Sequence, residues 1–390
     1  MKKAMSLFLA MLLALSLTAC GEKADAPAEG GSGAESGEKP KVTVWAEGSQ
    51  NVSDTMTALI EAYNKREDAT AEVSLQFLLS GSGDAGLEAR MAAAYQTGAT
   101  NDHFDMIAGN TAKFIAIADE AGDENIFLDL DFSKLENWDN VLMPASDMES
   151  KVMPYRGTTV VFAYDSARVT DVPETWDELT EWIKANPGRF AYSSSGGAAT
   201  AFEQAAVYRF IDDPAARTSN DPKWAEQWDQ GFEWLAEIHP YLYQSGGSVV
   251  YPNKNQGSLD LLINQEVDMI PAWADQVIQN MQLGMLPETT RMMQLKDGVL
   301  AGNDECFTIT SMCENPEACY DFMNFVISPE GQKICLETMY AIPVIDPDTI
   351  DSDVKDAIAG LDTDDFVYMA IGSLGETFTE RWQREIMTLG

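Results

Sequence analysis

Histidine is nearly missing from this sequence: His103 and His239 are the only two in 390 residues. Ser-His-Asp and Cys-His nucleophilic catalysis, and His-rich metal centres, therefore have almost no material to draw on. Basic residues are scarce as well, with 25 Lys and Arg against 63 Asp and Glu and a formal net charge of −38. A polyanion of this density repels phosphate backbones and anionic headgroups, which excludes nucleic acid as a partner. Cysteine is limited to five residues. Four of them, Cys306, Cys313, Cys319 and Cys335, are spaced C-x6-C-x5-C-x15-C, without the close pairs of a structural zinc site. They allow three disulfide pairings, and the spacing selects none. Beyond the first twenty residues no apolar run approaches the length of a membrane-spanning helix. Gly81-Ser82-Gly83 is not a nucleophile elbow, which needs G-x-S-x-G. Carboxylate pairs are unavoidable at this acidity and diagnose no glycosidase. No catalytic residue, metal ligand or cofactor site is assigned.

Hydrophobic residues make up 45% and charged residues 23% of the chain, the profile of a globular protein long enough for two domains. The N-terminus is of a different kind. Lys2 and Lys3 precede the short apolar stretch Leu7 to Leu17, the pattern of a signal peptide over residues 1–19. Leu17-Thr18-Ala19-Cys20 resembles a bacterial lipobox, which implies a diacylated Cys20 and attachment to the membrane through lipid. Residues 20–41 follow as a flexible linker rich in Gly, Ala and Pro, with no large apolar side chain to order it. This places the folded part outside the cytoplasm, at the cell surface or in a periplasm.

The folded part reads as alternating strands and helices, an α/β fold with a largely parallel sheet. Lys41 to Trp45, Glu72 to Leu79, Phe104 to Ala108, Gly157 to Tyr164, Arg189 to Tyr192 and Val267 to Ile270 are expected strands. Asp54 is expected to cap a helix carrying Met56, Leu59, Ile60 and Tyr63 at helical spacing, and Leu87 to Tyr95 is a second helix. Thr175-Trp176-Asp177-Glu178 is a capping-box pattern. Asn315-Pro316 and Ser328-Pro329 each set a capping residue before a first-turn proline. Trp176, Trp182, Trp224, Trp228, Trp234 and Trp382 sit in helical patterns and read as packing residues.

Three turns follow strand C-termini, where a wound sheet presents its binding face. They are Glu47-Gly48-Ser49-Gln50, Gly109-Asn110-Thr111 and Ser193-Ser194-Ser195-Gly196-Gly197. Glycine there lets backbone approach a ligand, and free N–H groups at a helix start bind polar groups. Trp45 and Trp273 lie at strand ends and Tyr155 precedes a strand. These three aromatics are the candidates for lining a cleft.

The phrases Pro173-Glu174-Thr175-Trp176-Asp177-Glu178-Leu179, Trp182 to Phe190, Leu286 to Arg291 and Ser328-Pro329-Glu330-Gly331-Gln332 resemble the extracellular solute-binding lipoproteins of bacterial ABC importers. They are most similar to the branch of spermidine/putrescine- or thiamine-type proteins. The resemblance covers most of residues 42–345. It implies a two-lobed periplasmic-binding-protein-like fold with an interdomain cleft and crossing hinge strands. Residues 42–152 plus 303–341 would form the N-terminal lobe, and 153–302 plus 342–390 the C-terminal lobe. Crossings would lie near Met153–Thr159, Gly298–Asn303 and Ile342–Val344. The expected ligand-binding residues are Ser49, Asn110, Tyr155, Ser194, Ser195, Trp273 and Asn303. The expected function is that of a monomeric receptor, not an enzyme, which captures a small-molecule solute and delivers it to an ABC permease. A polyamine or thiamine-like cation is the expected ligand, with Glu47 and Asp275 as the carboxylates to face it. A carbohydrate receptor is the alternative, and a surface-anchored glycosidase or esterase a more distant one. In the spermidine-type branch, Ser193–Ala199 usually carries prolines before its glycine. Here the passage is Ser-Ser-Ser-Gly-Gly, and ligand identity does not carry over.

Overall fold

The computed structural model describes residues 39–79, 86–98, 103–143, 148, 150–298, 302–359, 361, 369 and 371–389. The expected signal peptide, Cys20, most of the expected linker and the Gly81-Ser82-Gly83 turn lie outside the described residues, as does part of the expected Gly298–Asn303 crossing. No helix among the described residues is long and apolar enough to cross a membrane.

The described part begins with β1 (Lys41–Gly48), whose Val42, Val44 and Ala46 enter one core while Trp45 enters another on the opposite face, as the strand's period of two requires. The helix α1 (Gln50–Asn64) starts four residues before the expected Asp54 cap, with Ser49 as the extended N-cap residue. Its buried Thr55, Met56, Leu59, Ile60 and Tyr63 keep the helical spacing. Then come β2 (Glu72–Leu79), α2 (Leu87–Thr97), β3 (Met106–Asn110) and α3 (Thr111–Ala121). A long strand, β4 (Met153–Asp165), leads to α4 (Trp176–Ala185), α5 (Gly197–Tyr208) and α6 (Asp229–Ile238). The short hairpin β5 (Gln244–Ser245) and β6 (Ser248–Val249) precedes α7 (Lys254–Ile263), β7 (Met269–Trp273), α8 (Ala274–Gln282) and β8 (Thr290–Met293). The chain closes with β9 (Gly302–Ile309), α9 (Pro316–Val326), α10 (Pro329–Met339) and α11 (Leu374–Glu385).

The capping signals operate locally. Thr175 Oγ1 accepts from Glu178 N at 3.2 Å and Glu178 reaches back to Glu174 N at 2.8 Å. Ser328 accepts from Gly331 N at the start of α10, whereas Asn315 precedes Pro316 without a side-chain cap bond. Arg189 to Tyr192 does not form a strand: only Phe190 bridges, to Leu242 and Met269.

The strands run in the order β2-β1-β3-β9-β4-β7, with β8 also paired to β4. Only β1–β2 and β1–β3 are parallel, and the other pairings are antiparallel. The expectation of a largely parallel sheet is therefore corrected to a mixed one. Helical crossovers build parallel neighbours, and they do so here for β1, β2 and β3. β9 instead comes back from the far side of the molecule and enters the sheet in the opposite direction.

β4 belongs to both sides. Met153–Thr159 pairs with β9, while Val160–Asp165 pairs with β7 and β8. One core gathers Val42, Val44, Met106, Phe307, Phe322 and Met323 around β1, β3 and β9. The other gathers Phe162, Trp176, Phe190, Phe202, Trp228, Trp234 and Trp382, which accounts for most of the helical tryptophans. Two lobes follow, joined through β4, β9 and the segment at Ile342, which bridges Gly157. Gln332, fully buried, secures this junction by donating to Tyr155 O at 2.7 Å and accepting from Val344 N at 2.9 Å. The C-terminal segment divides between the lobes. Ile342, Val344, Ile345, Ile350 and Ile358 stay in the first core, and Ile371, Leu374, Phe378 and Trp382 join the second. The expected assignment of all of 342–390 to the second lobe does not match this packing, because the apolar side chains up to Ile358 find their cover on the first.

Candidate functional site

A cleft of about 620 Å³ lies between the lobes. The first lobe supplies Glu47, Ser49 and Gln50 from the end of β1 and start of α1, and Asn110 and Lys113 from the start of α3. The second supplies Ser195 to Gly197 before α5, Asn255 and Gln256 on α7, and Trp273, Asp275 and Gln276 at the β7–α8 turn. Arg156, Thr158 and Glu305 come from the joining strands. A side chamber of about 250 Å³ continues past Trp273 between Asn110, Gly197, Thr200, Gln204 and Ile371. A further cavity of about 410 Å³ is cut into the second lobe alone, where Arg209 stacks on Trp234 at 4.7 Å.

Two glycines shape the cleft wall. Gly196 has φ +102°, and a Cβ on Gly197 would sit 2.8 Å from Trp273 Cζ2. Only glycine lets the α5 N-terminus come this close to the indole. Trp273 is half-buried and Asn110 caps α3, its Oδ1 accepting from Lys113 N at 2.9 Å. Ser49 donates to Asn51 Oδ1 at 2.5 Å.

The charged groups are paired inside the protein. Lys113 bridges Glu47 and Glu88, the latter at 2.7 Å. Burial alone would push the Glu88 carboxyl up, but the Lys113 charge and hydrogen bond outweigh it and hold the group below its ordinary value. Arg156, only 4% exposed, lies 3.5 Å from Glu305 and donates to Tyr155 OH at 3.2 Å. Burial would lower its guanidinium, and Tyr155, Glu305 and Asp275 more than reverse this. Asp275 accepts from Asn51 Nδ2 at 2.8 Å and Thr158 Oγ1 at 3.1 Å. Burial raises both Asp275 and Glu305, with Arg156 opposing it. The charged lining residues are thus Glu47, Asp275 and Glu305 against Lys113, Arg156 and Lys254, a balanced set. Gln276 Oε1, buried in the wall, has no partner among the described residues. No group of three or more metal-binding side chains occurs among the described residues.

Of the expected site residues, Ser49, Asn110, Ser195 and Trp273 line the cleft together. Tyr155 does not. A register shift between Pro154 and Arg156 turns its ring into the first core, 4.6 Å from Phe307 and 1% exposed, as a bulge re-aims side chains. Ser194 is drawn away by Pro252 O, which accepts from its backbone N at 2.8 Å and its Oγ at 3.3 Å. Asn303 lies in β9 opposite Thr158. Trp45 is buried on Phe104, their rings 4.7 Å apart. The sequence reading missed Lys113, Arg156, Asn255 and Gln276. Arg156 adjoins the flagged Tyr155, and Asn255 sits two residues after Asn253, the extended residue that opens α7, so each had a neighbouring signal.

Solved structures share this architecture. The chain is similar to a Trichodesmium protein, FutA, in complex with iron and citrate, at 14% identity and TM-score 0.62 over 88% of this chain and 98% of that one. It is similar to a periplasmic thiamin binding protein, at 15% identity and TM-score 0.61 over 89% and 96%. It also resembles the Atu4243-GABA receptor, at 14% identity and TM-score 0.63 over 90% and 98%. At these identities the likeness is one of fold. In sequence, the protein YnjB of Escherichia coli strain K12 is 27% identical over 198 residues, 49% of this chain and 48% of YnjB. The chain thus matches about half the length of that curated relative. Residues 58–357 match the model of the bacterial extracellular solute-binding proteins. With most of its length matched, two lobes and a lined cleft between them, the chain belongs to the bacterial extracellular solute-binding proteins.

Proposed function

We propose that this protein captures a small uncharged polar solute with one flat apolar face and delivers it to the permease of an ABC importer, without chemically altering it. The observation that carries the ligand class is the internal pairing of charge. Glu47 is taken by Lys113, and Asp275 by Asn51 and Thr158. A dication would have to displace Lys113 from Glu47 or break the hydrogen bonds to Asp275, and it would meet the like charges of Lys113 and Arg156 in the cleft wall. Neutral hydrogen-bonding groups on Ser49, Gln50, Ser195, Asn255 and Gln276 line the rest of the cleft, with Trp273 as the apolar plate. That combination fits a polyhydroxylated ligand such as a sugar better than the polyamine or thiamine-like cation expected from sequence. The lobes close over the solute by bending at β4 and β9. The receptor acts as a monomer held to the membrane through lipid on Cys20, a reading supported by the lipobox-like Leu17-Thr18-Ala19-Cys20.

Thermal-shift measurements on protein unfolded and refolded to remove retained ligand test this. A compound present at 100 times its Kd adds about 2.7 kcal/mol of stability. Monosaccharides, oligosaccharides and polyols are expected to include the compound that shifts the transition. A shift given only by spermidine, putrescine or thiamine would overturn the neutral-ligand reading. Trp273→Ala is expected to weaken binding of the active compound by tenfold or more, from the loss of about 1.5–3 kcal/mol of aromatic burial, while the unliganded melting temperature stays within a few degrees. Unchanged affinity would remove Trp273 from the site.

A further inference from the structure

Four cysteines lie in the folded part, and none is in a disulfide in this structure. Their spacing chose no pairing, but the fold does. Cys306 is on β9 and Cys335 on α10, both buried. Cys313 lies in the turn that joins β9 to α9, and Cys319 on the first turn of α9. The Sγ atoms of Cys313 and Cys319 are 3.8 Å apart. A disulfide is about 2.05 Å long, so the two sulfurs must approach by about 1.8 Å. Cys319 is held by the first core, beside Ala318 and Phe322. Cys313 is half-buried and sits in a turn, where its backbone N donates to Thr310 O at 3.2 Å. The approach therefore falls to the cysteine on irregular backbone, which moves more readily than a helix packed in a core.

We propose that Cys313 and Cys319 are the site of an intramolecular disulfide, formed by exchange with a disulfide-bearing oxidant outside the cytoplasm. The compartment of the family favours disulfides. In the first step the Cys313 thiolate attacks a sulfur of the oxidant, forming a mixed disulfide and releasing one thiol. The Cys319 thiolate then attacks Cys313 Sγ and expels the second thiol. Two protein thiols are oxidised, one oxidant disulfide is reduced to two thiols, and the two protons pass to the leaving thiolates. The order follows from access and from ionisation: the adjoining Cys313 thiol, and then burial, push the Cys319 thiol well above its ordinary value. The bond would fasten the start of α9 to the turn that follows β9.

The test uses the full chain carrying Cys20→Ser, equilibrated with oxidised or with reduced glutathione, denatured, alkylated and mapped after cleavage at glutamate. Oxidised protein is expected to show two alkylated cysteines, Cys306 and Cys335, and a cross-linked pair of peptides joining Cys313 to Cys319. Reduced protein is expected to show all four alkylated. Cys313→Ser should abolish the cross-link while leaving the fold intact, since the position is half-exposed. The proposal is overturned by four alkylated cysteines after oxidation, or by a cross-link that survives Cys313→Ser.

Discussion

On α9, Asp321 accepts from the Tyr63 hydroxyl at 2.7 Å and from Thr70 N and Oγ1, each at 2.8 Å. These bonds tie the end of α1 and the approach to β2 onto a third element. Burial works against the ionised carboxylate, yet the three donors prevail and hold its pKa below the ordinary value, while burial and Asp321 push Tyr63 up to about 12. A carboxyl lowered in the folded state stabilises above its unfolded pKa, and the contribution is lost as pH falls through the folded value. Asp321→Asn is accordingly expected to lower stability at pH 7 by about 1–2 kcal/mol and to flatten the loss of stability below about pH 4, checked by urea melts at pH 7 and pH 3. At this scale the sequence was legible where local turns build most of the cleft wall. Ser49, Asn110 and Trp273 stand at strand-to-helix junctions and Ser195 just before a helix, each marked by glycine or by an abrupt change of periodicity. Tyr155 was not legible, because its direction depends on a bulge, and a bulge shifts the parity from which inside and outside are inferred. The polar pairs were hidden for another reason. Lys113 and Glu88 are 25 residues apart, and Asn51 and Asp275 are 224 apart, so only the finished fold brings them together.

Helices α5 and α6 are in close contact at Gly231, where a Cβ would fall 2.4 Å from Val207 Cα. The obstacle is backbone, which cannot swing aside. Gly231→Ala is expected to cost about 1–3 kcal/mol, measured by chemical denaturation. Gly375, in α11, has nothing within 4 Å of its missing Cβ. Gly375→Ala is expected to be neutral or to stabilise by up to about 1 kcal/mol, which makes it the control for a general penalty on lost glycine. Element ends were readable when a side chain could satisfy its own backbone, as at Thr175 and Ser328. They were misread when the stop came from tertiary contact. Arg189 to Tyr192 has strand-like composition, but Arg189 is engaged by Asp268 at 2.8 Å and its backbone oxygen accepts from Asp268 N, also at 2.8 Å. The segment is consumed as a connection at the start of β7 and never enters a ladder of its own.

Across the whole molecule, the two lobes touch at the back of the cleft through Asn51 on α1 and Asp275 on α8. Asn51→Ala removes a hydrogen bond to a buried charge, a contact of about 1.5–3 kcal/mol, and leaves Asp275 with Thr158. The ligand-free variant is expected to show a larger radius of gyration in solution scattering than the wild type. An unchanged radius would mean that other contacts hold the lobes together. The existence of two lobes was visible in the sequence phrases, whereas the direction of the strands was not, since hydrophobic pattern carries no arrow. β4 has one more property. Val160 and Phe162 face the core that holds Trp176, and Val161 and Ala163 face the one that holds Leu259 and Val277. Its earlier residues are meanwhile set in step with β9. The strand thus works as a reading frame shared by two texts. Losing a single residue at Thr159–Val160 would leave the first lobe in phase and put every later side chain on the wrong face, with Phe162 thrust where Val161 belongs. Insertions tolerated in the surface loops would be ruinous at this one point, however conservative the residue added.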